Sequence, residues 1–150
     1  MSETIKLFSN FFENKKQKDK DFFSRDSITS AYLVGAYASA IVESSWDGVN
    51  IKIDGELKQI SHVKENETYK KWLSNQQIIS SNLLRIVNKA SYYQKRFNLD
   101  SSINKYLSTL VTDTLKLKRK DVVLQQEISF SFLRGYNDFR TFKYTKKGDN

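Results

Sequence analysis

Not one proline interrupts these 150 residues, and only five glycines do. Proline lacks a backbone donor and clashes with the preceding turn, while glycine loses the most entropy on ordering, so these two residues are the strongest helix breakers. A chain almost free of both is held to long helices, and an all-α fold is the expectation. Two of the remaining glycines sit inside helical patterns in similar company: Tyr32-Leu33-Val34-Gly35 and Phe132-Leu133-Arg134-Gly135. A glycine there costs about 0.5–1 kcal/mol relative to alanine. Close backbone approach would compensate, so the second and last helices are expected to cross near Gly35 and Gly135, with Ala36, Ala38, Ser39 and Ala40 extending a shallow groove.

Hydrophobic spacing predicts about five helices packed as one domain, residues 1–150. Ile5, Leu7, Phe8, Phe11 and Phe12 give a short first helix, followed by a solvated connector "ENKKQKDKD". The second begins near Ser24 to Ser27 and runs to about Ser45, and it is apolar or small on nearly every side between Ile28 and Val42, which places it at the centre. In "WDGVNIKIDGELKQI" the period changes to two around Asp54-Gly55, a favoured hairpin turn, so a small β-hairpin or ordered loop is expected near residues 49–60. It could cover one end of the bundle or touch a neighbouring subunit. A third helix is expected from Asn66 to Arg96, with Trp72, Ile79, Leu83, Ile86, Val87, Ala90 and Phe97 on its core face. Asp100 and Asp121 are candidate caps for the fourth and fifth helices, and the tail "TKKGDN" is expected to fray.

Composition removes several functions. Without cysteine there is no disulfide or thiolate chemistry, and the single His62 cannot build a histidine-rich metal site. No apolar run reaches the roughly 18 residues of a membrane span, and the N-terminal stretch lacks the basic-then-apolar order of a signal peptide, so a cytoplasmic protein with no membrane contact is expected. Phosphate-binding loops, HExxH, GxSxG and EF-hand spacings are absent. Glu43, Asp47, Glu127 and Asp138 lie near aromatic-rich segments, but nothing in the spacing makes them neighbours; satisfied structural acids are the simpler expectation. Neither an enzyme nor a cofactor or metal site is expected.

The 25 basic against 17 acidic residues give a net charge of +8, a field that favours polyanionic partners. Basic residues fall into four groups. Lys15, Lys16, Lys18 and Lys20 are interspersed with acids and suit a solubilising face. Arg134, Arg140, Lys143, Lys146 and Lys147 form a C-terminal group, and Lys116, Lys118, Arg119 and Lys120 close the fourth helix. Arg85, Lys89 and Arg96 share one face of the third helix with Tyr92 between them. That set can pair with phosphates along a strand while the ring stacks on a base, and no helix-turn-helix, zinc-finger or RNP signature adds sequence readout. The candidate nucleic-acid-binding residues are therefore Arg85, Lys89, Tyr92, Arg96, Lys116, Lys118, Arg119 and Lys120. The alternative is a purely structural assembly protein docking partners through aromatics such as Tyr93, Tyr136 and Phe142.

The final helix "QQEISFSFLRGYNDF" resembles the C-terminal segment of the large subunit of type I CRISPR effector complexes, and "SAYLVGAYAS" is similar to the small-residue helix that opens that segment. In type I-B and I-D systems the segment is also made separately as the small subunit, which a chain of this size starting at methionine would fit. The resemblance implies a non-catalytic helical bundle present in several copies. It would contact the large subunit, the backbone subunits and further copies of itself, and stabilise the R-loop, touching the displaced non-target DNA strand, the guide RNA or both. Sequence would be read by guide pairing while the protein reads charge and shape.

Overall fold

From Ser30 to Glu43 every residue of one helix is buried, which is what a segment with apolar or small residues on all sides requires. That helix, α2 (Asp26–Ser45), is the axis of the bundle. The computed structural model describes residues 2–45, 49–60, 63–116 and 121–148. Around α2 pack α3 (Val63–Ser74), α4 (Leu83–Arg96), α5 (Ser102–Lys116) and α6 (Gln125–Gly148), and α1 (Glu3–Lys18) lies against α5. Single 3₁₀ turns occupy Phe22–Ser24 and Ser80–Asn82. Strands β1 (Val49–Ile53) and β2 (Glu56–Ile60) form one antiparallel hairpin, in register from Val49 opposite Ile60 to Ile53 opposite Glu56. Asp54 and Gly55 turn it with φ of 53° and 82°, the two positive values that a two-residue type I′ turn demands. The fold is an all-α bundle with this one β excursion.

α2 and α6 run parallel and meet at their glycines. A Cβ added to Gly35 would lie 2.8 Å from the carbonyl carbon of Phe132 and 3.0 Å from the amide nitrogen of Tyr136. One added to Gly135 would lie 2.7 Å from the carbonyl carbon of Tyr32 and 3.0 Å from its Cα. Each glycine thus faces the backbone of the aromatic residue three positions before the other glycine. The echo in sequence is a local two-fold relation in space. Only hydrogen fits between the chains, and a glycine Cα–H directed at a carbonyl adds a weak hydrogen bond.

Polar ties fix the same pair along its length. At the N-terminal end Arg25 grips the Glu127 carboxylate with two guanidinium nitrogens (Nη1 to Oε1 3.1 Å), while Asp121 accepts from the Ser27 amide at 2.9 Å and its hydroxyl at 2.8 Å. Midway, Tyr32 donates to Asp138 at 2.7 Å. At the C-terminal end Glu43, only 3% exposed, takes Arg140 Nε at 3.0 Å and the Tyr144 hydroxyl at 2.7 Å, and Lys143 donates to the Glu43 carbonyl at 2.9 Å. Parallel helices align their dipoles unfavourably; acids at the two N-termini and cations at the C-terminal end of α2 oppose that.

Several local expectations are corrected. The segment expected as one helix from Asn66 to Arg96 is two, α3 and α4, separated by residues 75–82. Side chains there compete for backbone groups: Ser74 donates to the Lys71 carbonyl (2.9 Å), Gln76 to Trp72 (3.1 Å) and Asn82 to Gln77 (2.9 Å). Asp100 does not cap α5; Ser101 accepts from the Asn104 amide at 3.3 Å, and Asp100 instead receives Gln94 at 3.0 Å. Asp121 caps α2 rather than α6, whose Glu127 reaches back to the Leu124 amide at 3.0 Å. The expected connector from Glu13 to Lys18 is helical, supported by a Glu13–Lys16 pair at 3.0 Å and by Lys15 and Lys16 over the Phe11 and Phe12 rings. α6 continues beyond Thr145 to Gly148, into the tail expected to fray.

Gly35→Ala and Gly135→Ala should each lower stability by about 1–3 kcal/mol through overpacking, and leucine should cost more. Thermal unfolding reads the sign directly. In an open helix the same change to alanine would stabilise the protein.

Candidate nucleic-acid interface

α4 divides its residues between two faces. Leu83, Ile86, Val87, Ala90, Tyr93 and Gln94 are buried, and Phe97 continues that face. Arg85, Lys89, Tyr92 and Arg96, at i, i+4, i+7 and i+11, fall on one line opposite; Lys89 is half-buried, the other three are exposed, and Tyr92 is 56% exposed. The line from Arg85 to Arg96 is about 16 Å long at the helical rise. Lys116 closes α5, which returns beside α4 after residues 97–101. Its neighbour Leu115 lines a cleft with Ser80 and Leu83, so Lys116 stands at the Arg85 end of α4. Lys118, Arg119 and Lys120 lie outside the described residues, as do Asp47 and His62.

The basic groups have different employments. Arg134 binds Asp19 at 2.7 Å and Asp138 at 3.8 Å, and its guanidinium carbon lies 4.3 Å from the centre of the Phe22 ring. Arg140 and Lys143 are committed to Glu43. These three members of the C-terminal group therefore hold the fold together. Among the residues whose side chains are described, none supplies a carboxylate within ion-pair range of Arg85, Lys89 or Arg96.

Lys89 rests against rings instead. Its ammonium lies 5.5 Å from the ring centre of Trp72 on α3, 5.7 Å from Tyr92 and 5.8 Å from Tyr93. Arg96 lies 5.3 Å from the Phe97 ring centre. Trp72 is partly buried and packs against the core, as its spacing predicts, but it does so from a separate helix. Only the break at residues 75–82, which nothing in the apolar period signals, turns it toward Lys89.

The aromatics expected to dock a partner are largely interior. Tyr93 and Phe142 are 8% and 7% exposed, and Tyr136 is partly buried, its hydroxyl pushed up to about 12 by burial and then by Glu43. Their spacing puts them on the faces that meet the core. Among the described residues the exposed rings are Tyr92, Phe130 and Tyr144, and Leu133 on α6 is exposed as well.

Of the four acids considered for chemistry, three are held in place. Glu43 and Asp138 occupy the networks above, and Arg25, with the Leu124 amide, pulls Glu127 down to about 2. Asp121 lines a cleft of about 470 Å³, yet both of its oxygens already serve Ser27. Among the described residues there is no group of three or more metal-ligating side chains, and no helix is long and apolar enough to cross a membrane. Compared with protein families, characterised proteins and solved structures, the chain matches none.

Tyr92→Ala should change stability by no more than about 0.5 kcal/mol, whereas Tyr93→Ala should cost about 3–5 kcal/mol. Chemical denaturation of the two adjacent variants checks the assignment of faces.

Proposed function

We propose that this chain is a non-catalytic helical bundle that binds nucleic acid without reading its sequence, through Arg85, Lys89, Tyr92 and Arg96 on α4 and the basic end of α5 at Lys116. The resemblance noted in α2 and α6 suggests its setting: the small subunit of a type I CRISPR effector complex in the cytoplasm, bridging neighbouring subunits and stabilising the displaced strand of an R-loop. The single observation that supports strand binding is the contrast between cations. Arg25, Arg134 and Arg140 are spent on carboxylates, while Arg85, Lys89 and Arg96 line the outer face of α4 with no acid partner among the side chains described. A row of such cations about 16 Å long matches several phosphates of one strand.

The residues shared with the CRISPR segment are those of the α2–α6 crossing, so that likeness bears on architecture, and α4 bears on ligand. In an assembly of several copies, weak rows on successive subunits would add through effective concentration. A second function, docking of protein partners alone, is favoured by one observation: Phe130 and Leu133, 61% and 51% exposed, form an apolar patch on α6.

Fluorescence anisotropy with a labelled single strand at several salt concentrations tests the proposal. Affinity should fall steeply with salt, and the Arg85→Glu, Lys89→Glu, Arg96→Glu triple variant should lose binding and about two units of salt slope while keeping its helicity. Unchanged affinity and slope would remove α4 from the site. Oligomerisation indifferent to salt, with no strand bound, would favour the docking function.

A further inference from the structure

The phosphate contacts of α4 leave one feature without a role: an ammonium parked among three rings. Lys89 lies 5.5 Å from the ring centre of Trp72, which comes from a different helix, and within 6 Å of the centres of Tyr92 and Tyr93. Trp72 is half-buried, with the Tyr69 ring nearly parallel to it (14°) at 6.4 Å, and Tyr92 is supported edge-on by Tyr93 at 5.3 Å. The two outer rings are therefore held by their neighbours. The lysine is not: a cation beside partly hydrated rings is weakly held, and its stem is long and flexible.

Resting on the strand-binding function proposed above, we infer that Trp72 and Tyr92 form a base-stacking site which Lys89 occupies in the free protein and yields to an unpaired nucleobase. The base replaces the ammonium against the ring faces, and the ammonium moves to a phosphate of the same strand. Contacts exchanged in this way are indifferent to base identity, because every base has a π face. They are closed to a duplex, whose bases are already stacked on one another. The site thus selects single strands over double strands, which a row of cations alone does not do.

The test compares three ligands of equal length with the full chain: a single strand, the same strand made of abasic nucleotides, and the duplex. Anisotropy on the unaltered protein should show the abasic strand bound about tenfold more weakly than the base-bearing one, with Tyr92→Leu removing most of that difference. Trp46→Phe leaves Trp72 as the only tryptophan, and its emission should be quenched by the base-bearing strand alone. Equal binding of base-bearing and abasic strands, or quenching by both, would overturn the stacking site while leaving phosphate binding in place. Failure of all three ligands to bind would overturn both.

Discussion

Two helices of this bundle touch backbone to backbone, and the rest of the structure depends on that contact. At Gly35 and Gly135 the chains come closer than any side chain would permit, each glycine set against the carbonyl of Tyr32 or Phe132 on the other helix. The penalty of a glycine inside each helix is offset by a close, parallel approach over a long stretch of sequence separation. Such contacts are expensive to form in entropy, since about a hundred residues must be ordered between them. Once formed, they fix the axis on which α3, α4 and α5 pack.

The parallel arrangement also decides where charge goes. Because the ends of α2 and α6 coincide, Arg25 reaches Glu127 at one end and Arg140 reaches Glu43 at the other, while Arg134 lies on Phe22 between Asp19 and Asp138. A buried carboxylate such as Glu43 would be costly without its partners. These cations therefore serve the fold. α4 carries no acid along its length, and Arg85, Tyr92 and Arg96 stand exposed on the face opposite its buried one.

Much of this was legible in the amino-acid order. The absence of proline and the all-round apolarity of residues 28–42 foretell helices and a buried central one, and Asp54-Gly55 announces the hairpin. The split between α3 and α4 was not legible, because Trp72, Ile79 and Leu83 keep helical spacing across the break. It is made by Ser74, Gln76 and Asn82 competing for carbonyls, a local hydrogen-bonding choice to which hydrophobic period is blind. Capping shows a related limit: nearness along the chain pairs Asp121 with α6, but it serves Ser27 across the bundle. Within the candidate site, periodicity places Arg85, Lys89, Tyr92 and Arg96 on one face because they share one helix. It gives no sign that Trp72 lies beside Lys89, a contact made only in three dimensions.

The strand binding proposed for α4 is local enough to be mapped. Backbone amide chemical shifts recorded by NMR during titration with a short single-stranded oligonucleotide would show where the ligand sits. The account predicts perturbations concentrated from Arg85 to Arg96 and at the end of α3 around Trp72, with the α2–α6 crossing unmoved. Perturbations centred on the lysines of α1, or none at concentrations where the strand binds, would contradict it.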